Sequence, residues 1–284
     1  MSKKIILTLF FILLLVGCSS STQPTSGTSI IASDDYHSEV VAKEIPILMY
    51  HHLLKKEENT FKSNGVVLNV ENFQQQMDYL YNNQYTTINL TELEQWLLGN
   101  IELPKKSVCI TFDDGYLSSY IYAYPILKKY DFTAIQFLIT SYVEDYSVKF
   151  YPQIQQTLSW QDIIKTTDVF EYSNHTHNLH KLDSDKGYLI TKPLDFVIKD
   201  LIKNMELTRS PYFAYPYGQY NDDILKLLPE TGIRMAFTIN KGSVKKGDSL
   251  LELKRYGIFP KTSIATFINI VNNKNPKKHK FFIF

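Results

Sequence analysis

The chain is poor in cysteine, in excess charge and in long apolar runs, and these shortages exclude several classes of protein. Only two cysteines occur among its 284 residues, so the protein is not a disulfide-stabilised scaffold. Thirty lysines and arginines are balanced by 29 aspartates and glutamates. The resulting net charge of +1 gives no argument for nucleic acid as a partner. The sequence also contains no internal repeat of the kind that marks solenoids and propellers.

The one long apolar run lies near the N-terminus, from residue 5 to residue 16, and follows two lysines. It is too short to span a bilayer comfortably and is typical of a secretory signal. It ends in Leu15-Val16-Gly17-Cys18, which resembles the lipobox of bacterial lipoproteins, so residues 1–18 are predicted to be a signal peptide. The resemblance implies that Cys18 carries a lipid and tethers the protein to the outer face of a membrane. The alternative is an ordinary secretory signal with an incidental cysteine. Both place the mature protein outside the cytoplasm, on the cell surface or partly secreted.

Two further segments follow the signal. Residues 19–42 are rich in serine and threonine and lack apolar periodicity, which predicts a flexible linker. Residues 43–284 are long enough for one well-cored domain, which we expect to be a monomer. Cys109 lies in an apolar run and is predicted to be a buried, inert thiol. The basic stretch 274–280 is predicted to be a solvated end.

Short apolar runs alternate with helical patterns along the folded part. Strands are predicted at 45–50, 85–88, 107–112, 133–140, 169–173, 212–215 and 234–239, and helices at 70–83, 91–98, 117–130, 160–165, 187–207, 222–228 and 264–272. In the second of these helices, Thr91 is the predicted cap, with Glu94 as its capping-box partner. Alternating strands and helices predict an α/β fold with a parallel sheet, and about seven such units favour a barrel over an open sheet. Functional residues are then expected in the loops that follow the strands.

Two adjacent carboxylates, Asp113 and Asp114, follow the predicted strand 107–112 and are followed by Gly115. Like charges side by side repel each other, so one of the two is expected to have a raised pKa unless a cation neutralises the pair. A carboxylate that binds a metal beside one that stays free would use such a pair. For an isolated Asp-Asp-Gly, the alternative is an Asx-type turn.

A histidine cluster, Ser-Asn-His-Thr-His-Asn-Leu-His at 173–180, follows another predicted strand. Three of the chain's seven histidines lie within six positions there, which favours metal binding over three solvated side chains. Imidazole nitrogens with one carboxylate and an open position for water are the usual arrangement of catalytic zinc.

These motifs resemble a known family. Thr-Phe-Asp-Asp-Gly at 111–115 and the histidine loop are similar to the first two motifs of carbohydrate esterase family 4, the polysaccharide deacetylases with the NodB homology domain. His175 and His180 are separated by four residues rather than the usual three, as in the branch that acts on poly-β-1,6-N-acetylglucosamine. Two further segments also resemble that branch, in which the catalytic segment is circularly permuted. They are Leu-Met-Tyr-His at 48–51 and Phe-Ala-Tyr-Pro-Tyr-Gly at 213–218. The match covers nearly all the folded chain and implies a distorted (β/α) barrel of about seven strands.

The resemblance also implies roles for individual residues. Asp114, His175 and His180 would bind one divalent metal, with zinc favoured and cobalt, nickel or iron as alternatives. Asp113 would be the general base, and His51 would protonate the departing sugar amine. The oxyanion would be stabilised by the metal and by a backbone N–H in the segment 215–218, for which the amide of Tyr217 is favoured.

Several assignments stay open at this point. His177 is a weaker candidate ligand, because alternation after the strand points it away from His175; a supporting role is favoured. His52 is expected to face the opposite side from His51 if the first strand continues. Tyr215 and Tyr217 are suited either to stacking on sugar rings or to core packing.

One position departs from the family pattern. Most members have an arginine in the third motif that orients the base, and Ala214 occupies that place in this chain. The permuted branch shares this departure. The sequence supplies no obvious replacement for this arginine.

The sequence therefore predicts a metal-dependent amidohydrolase that acts on linear amides. It would remove N-acetyl groups from poly-β-1,6-N-acetyl-D-glucosamine, a biofilm exopolysaccharide, and release acetate. Two alternatives are a deacetylase of peptidoglycan or chitin-like β-1,4 polymers and a non-catalytic carbohydrate-binding lipoprotein. The intact set of metal ligands, base and acid argues against the last of these.

Overall fold

The computed structural model of the chain describes residues 40–62 and 64–274. The predicted signal peptide with Cys18, linker residues 19–39 and residues 275–280 of the basic stretch lie outside the described residues. Val41 pairs with Pro104, and Ala42 is buried, so the last two residues of the predicted linker already contact the domain.

A parallel sheet forms the centre of the fold, as the alternating pattern predicts. The strands are β1 (Ile47–Tyr50), β2 (His52–Leu54), β3 (Val67–Asn69), β4 (Thr86–Thr87), β5 (Ser107–Asp113), β6 (Ala134–Leu138), β7 (Phe170–Asn174), β8 (Leu182–Asp183), β9 (Lys186–Gly187), β10 (Tyr212–Ala214), β11 (Met235–Phe237) and β12 (Tyr256–Gly257). The main sheet has the order β11-β10-β7-β6-β5-β1-β12, with β4 also paired to β5. All its described pairings are parallel, so the carboxyl ends of these strands meet at one edge.

Residues 253–257, which include β12, link the outer strand β11 to the first strand, β1. Leu253 forms a parallel bridge with Phe237 in β11, and two residues of β12 pair with Leu48 and Met49 in β1. The sheet is therefore a distorted half-barrel whose gap is spanned by one chain segment. This confirms the predicted fold class.

The helices flank the sheet and largely match their predicted positions. They are α1 (Val70–Asn82), α2 (Leu90–Leu97), α3 (Tyr124–Lys129), α4 (Trp160–Lys165), α5 (Tyr188–Thr191), α6 (Leu194–Thr208), α7 (Asp222–Thr231) and α8 (Ile264–Val271). The predicted helix 187–207 is broken in two because Pro193 keeps the preceding Lys192 extended, with ψ 155°. The predicted helix 117–130 begins instead with a π-helical turn, Ser119–Ala123, before α3.

The capping prediction for α2 was wrong by two residues. The side chain of Asn89 accepts a hydrogen bond from the amide of Glu92, and the Glu92 carboxylate accepts one from the Asn89 amide. Glu94 is instead buried and accepts two hydrogen bonds from Arg234, at 2.7 and 2.9 Å. Both Asn89 and Thr91 are good caps, and the pattern alone does not separate them.

Side chains alternate between the two faces of β5, and this alternation directs Asp113 inward. Ile110 and Phe112 pack in the cluster that includes residues of helices α1 and α8, whereas Cys109 lies in the cluster that fills the barrel. Burial raises the pKa of the Cys109 thiol, which fits the inert role predicted for it. Asp113 continues the inward series at the carboxyl edge of the strand, where it is 3% exposed.

Candidate active site

The Asp-Asp-Gly turn separates its two carboxylates through its backbone. Asp114 and Gly115 both adopt left-handed conformations, with φ 74° and 73°. A Cβ atom on Gly115 would lie 2.9 Å from a terminal methyl carbon of Leu138, which would have to shift, and the φ of 73° favours glycine there. The turn ends β5 abruptly and leaves Asp113 inside the barrel while Asp114 faces the histidine loop.

Asp113 is held by an arginine that the sequence motifs do not contain. Arg255 donates from Nη1 to Oδ1 at 2.7 Å and from Nη2 to Oδ2 at 2.8 Å. The guanidinium is completely buried, and it also donates to the carbonyl of Thr238 and the hydroxyl of Thr111. This planar, two-pronged contact fixes the orientation of the carboxylate. The family resemblance assigns that role to an arginine at the position that Ala214 occupies in this chain.

The electrostatics of Asp113 suit a general base. Burial raises the pKa of this carboxyl, but the charge and hydrogen bonds of Arg255, with smaller contributions from His175 and His51, outweigh it and hold the pKa below its usual range. Asp113 is therefore ionised at neutral pH.

The histidine loop is shaped by backbone contacts to two neighbouring elements. His175 lies directly after β7, and its Nδ1 is 2.7 Å from the carbonyl oxygen of Ala214 in β10. The amides of His177 and Asn178 donate to the two carboxylate oxygens of Asp200 in α6, both at 2.7 Å. Asp200 is a further residue that the sequence reasoning missed, because its contact crosses from a helix to a loop.

The structure brings the three predicted metal ligands together. Nε2 of His175 and Nε2 of His180 lie 3.5 and 3.3 Å from the same oxygen, Oδ1 of Asp114. The candidate ligand atoms of these three residues all lie within 4.8 Å of one another. A tetrahedral zinc ion with bonds of about 2.0–2.2 Å needs ligand atoms about 3.3–3.6 Å apart, and both histidine distances to Asp114 Oδ1 agree with this.

The hydrogen-bond inventory supports a cation at this point. A carbonyl oxygen only accepts, so the Ala214 contact places a proton on His175 Nδ1, and in the neutral imidazole that binds a metal Nε2 carries the lone pair. Burial lowers the pKa of His175, but without a metal Asp114 and Asp113 outweigh it and raise that pKa above its usual value. The Nε2 lone pair faces Asp114 Oδ1, which is buried and has no hydrogen-bond partner among the described residues. Two acceptors that face each other repel unless a cation lies between them. Burial, followed by the nearby His175, also lowers the pKa of His180 to about 4, which keeps it in the neutral form that binds metals.

His51 follows β1 at the same edge as the aspartates. Its imidazole contributes to lowering the pKa of both Asp113 and Asp114, so it is within electrostatic reach of the pair. Its Nδ1 is buried and has no hydrogen-bond partner among the residues described. Because Tyr50 pairs with Phe112 in β5, His51 and Asp113 follow at the same level of this edge, which suits the role of acid expected for His51.

His52 belongs to a separate strand, because β1 ends at Tyr50 and β2 starts at His52. Its ring is fully buried, lies with Nδ1 2.7 Å from the Ser118 hydroxyl and stacks on Tyr116 with centroids 4.8 Å apart. Tyr116 directly follows the Asp-Asp-Gly turn, so His52 packs against that turn. Burial lowers the pKa of His52 to about 4.

Tyr215 and Tyr217 have different environments. Tyr215 is 1% exposed, stacks on Tyr220 and donates its hydroxyl to the carbonyl of Leu251. Of the two alternatives left open for the Tyr215 ring, its burial favours core packing. Tyr217 is 37% exposed and its ring lies 4.3 Å from that of His180.

The backbone of the same segment leaves one amide for an oxyanion. The amide of Tyr215 donates to Phe237, and that of Gly218 donates to Tyr215, while Pro216 has no N–H. The remaining amide in 215–218 belongs to Tyr217, which has φ 57°. The oxyanion role of this amide stays a prediction.

His177 does not join the candidate ligands. Its Nδ1 lies 2.9 Å from the hydroxyl of Thr140, and the three-residue ligand group does not include it. This placement agrees with the supporting role favoured for it.

Comparison with known families decides the nature of the domain. Residues 100–236 match the family model described as polysaccharide deacetylase. These residues form a polysaccharide deacetylase domain. The matched range contains the Asp-Asp-Gly turn, the histidine loop and the 213–218 motif, whereas His51 and Arg255 lie outside it.

Curated relatives of this deacetylase domain share one described activity. The chain is 33% identical over 150 residues to a poly-beta-1,6-N-acetyl-D-glucosamine N-deacetylase of Staphylococcus epidermidis, and 34% identical over 150 residues to that of Staphylococcus aureus. Each match covers 50% of this chain and 51% of the relative. The chain thus spans about half the length of the curated relatives it matches.

Solved structures with the same fold cover more of the chain. A Streptococcus pyogenes deacetylase, PplD, in complex with acetate is similar with a TM-score of 0.69 and 28% identity over 80% of this chain and 98% of that one. IcaB from Ammonifex degensii is similar with a TM-score of 0.70 and 26% identity over 82% and 98% of the two chains. Within residues 40–62 and 64–274, no helix has both the length and the apolar content needed to cross a membrane.

Proposed function

We propose that this protein is an extracellular, metal-dependent N-deacetylase of poly-β-1,6-N-acetyl-D-glucosamine. The observation that carries the proposal is the pairing of two differently held aspartates at one sheet edge. Asp114 faces His175 and His180 as a metal ligand, while the adjacent Asp113 is bound by Arg255 and stays ionised. The choice of substrate follows the Staphylococcus relatives, which are described as deacetylases of this polymer.

Each residue of the site would have a separate role in the reaction. A divalent ion bound by Asp114, His175 and His180 would polarise the acetyl carbonyl and lower the pKa of the attacking water. Asp113 accepts the proton of that water, and the amide of Tyr217 donates to the oxygen that gains negative charge. His51 then protonates the sugar nitrogen as the bond to the acetyl carbon breaks, which releases acetate and a free amine.

The product chemistry suggests a role at the cell surface. Each removed acetyl group leaves an amine that is protonated at neutral pH, so the polymer becomes partly cationic. A cationic polymer adheres to anionic envelope material, which is the property a biofilm adhesin needs. Lipidation at Cys18 would keep the enzyme close to the polymer as it leaves the cell.

The test is acetate release by the purified, zinc-loaded protein from β-1,6-linked N-acetylglucosamine oligomers. The same assay with β-1,4-linked oligomers of equal length distinguishes the chitin-like or peptidoglycan alternative. We expect activity on the β-1,6 series that is lost on chelation and in Asp113→Asn. Activity that survives both treatments would contradict the mechanism, and oligomer binding without acetate release would indicate a carbohydrate-binding protein instead.

A further inference from the structure

The loop between β6 and α4 forms a wall beside the candidate metal site. At its start, the amide of Ser141 donates to the carbonyl of His177 at 2.9 Å. At its end, the amide of Leu158 donates to the carbonyl of Gly115, also at 2.9 Å. The loop is thus attached to both segments that supply the metal ligands, and its position is set relative to them.

Tyr142 lies where this wall meets the site. Its carbonyl accepts a hydrogen bond from the hydroxyl of Thr157 at 2.5 Å, and Thr157 forms a bridge with Tyr116, directly after the Asp-Asp-Gly turn. The backbone of Tyr142 is therefore fixed to the catalytic turn, while 40% of the residue stays exposed. No sequence motif includes this tyrosine.

Tyr217 lies near the same opening. Ser141, the residue before Tyr142, is hydrogen-bonded to His177, three residues before the His180 that Tyr217 contacts. The ring of Tyr217 packs on that of His180, and its remaining exposed surface faces outward. Two half-exposed aromatic rings thus lie near a buried ligand set. Tyrosine offers an apolar ring face and a polar hydroxyl, a combination that suits the apolar face and the hydroxyl groups of a sugar.

We propose that Tyr142 and Tyr217 form a subsite for the hexosamine residue next to the one that is deacetylated. This inference rests on the proposed function and adds the group that selects a polymer over a single sugar. Tyr146 of the same loop is more exposed, at 72%, and has no described contact with the ligand segments. It serves as an internal control.

The test measures binding of a β-1,6-linked N-acetylglucosamine pentamer to the full-length, zinc-loaded Asp113→Asn protein by calorimetry. Tyr142→Ala in that background is expected to weaken binding about tenfold, whereas Tyr142→Phe stays within about twofold because it keeps the ring. Tyr146→Ala, in the same loop, is expected to bind as the parent does. In the active protein, Tyr142→Ala should raise KM for the pentamer and leave kcat within about twofold.

Unchanged pentamer affinity and KM in Tyr142→Ala would overturn the subsite. So would a variant that loses binding to anionic lipid vesicles but keeps its pentamer affinity, since the loop would then contact a membrane. The proposed function fails separately, if the unsubstituted protein releases no acetate from any oligomer. If that protein is active and Tyr142→Ala matches it, only the subsite is wrong.

Discussion

Arg255 contacts both carboxylate oxygens of Asp113 across 142 positions of the chain. The arginine is fixed from behind by the Thr238 carbonyl, at 2.9 Å, so neither partner of the pair is free to rotate. A buried pair of this kind sets the direction of the base, and its effect should be larger on catalysis than on metal binding.

Arg255→Lys keeps the positive charge but loses the two-pronged contact. We expect kcat for acetate release to fall about 100-fold while bound zinc is retained, because a misdirected base is costly and the metal ligands are untouched. Arg234→Lys is the matched control, since Arg234 also makes a bidentate contact, with Glu94, but precedes β11 at the opposite edge of the sheet. A kcat equal in both variants would contradict the orienting role. Thermal unfolding of each variant checks that the fold is intact.

The three loop histidines should differ in their effect on metal content. His175→Ala and His180→Ala are expected to lose most of their bound zinc, because each removes a nitrogen that faces Asp114 Oδ1. His177→Ala should keep one zinc per chain, since its imidazole contacts Thr140 instead. Elemental analysis of the purified proteins measures this directly. Zinc loss in His177→Ala equal to that in His180→Ala would show that the ligand set is wrong.

His52 should make the metal-free protein sensitive to mild acid. Its pKa is lowered to about 4 by burial, whereas an unfolded histidine titrates near 6.5, so between these values the unfolded chain binds the extra proton. The contribution to stability is therefore complete above pH 6.5 and falls by about 1.4 kcal/mol per pH unit towards pH 4.

Urea unfolding at pH 7.0 and 5.0, in the presence of a chelator, measures this dependence. In His52→Gln the loss of stability between the two pH values should be smaller by about 2 kcal/mol. An identical loss in both proteins would mean that His52 is not held neutral in the fold.

The cap of α2 offers a stability test that is independent of catalysis. Asn89→Ala should lower the free energy of unfolding by about 1 kcal/mol, because it removes a side chain that accepts from the Glu92 amide. Thr91→Ala, the cap expected from sequence, should cost less than about 0.5 kcal/mol. Urea unfolding midpoints compare the two variants. A larger effect at Thr91 would restore the original assignment.

The sequence was sufficient where chemistry and local structure lie in one short segment. The Asp-Asp-Gly turn and the segment from His175 to His180 are each continuous in sequence. Each follows a strand of a parallel sheet, so we could expect the two segments to lie at the same edge. Most elements were located for the same reason, because apolar periodicity is a local property.

The missed features depend on distant contacts or on abrupt turns. Arg255 has no motif around it, and its neighbours Glu252 and Lys254 are charged, so nothing in the local sequence marks it as buried. Tyr215 and Tyr217 look equivalent by alternation, but Pro216 and the left-handed backbone of Tyr217 reverse the chain between them.

The segment 253–257 carries Arg255 between the last and the first strands of the main sheet, and this has a consequence for biosynthesis. His51 emerges early from the ribosome and Arg255 emerges some 200 residues later, so an incomplete chain holds the acid and the metal ligands but lacks the group that aims the base. In the proposed mechanism, hydrolysis would therefore depend on completion of the barrel. A C-terminally clipped chain that lacks Arg255 is expected to release little acetate even with its candidate metal ligands in place.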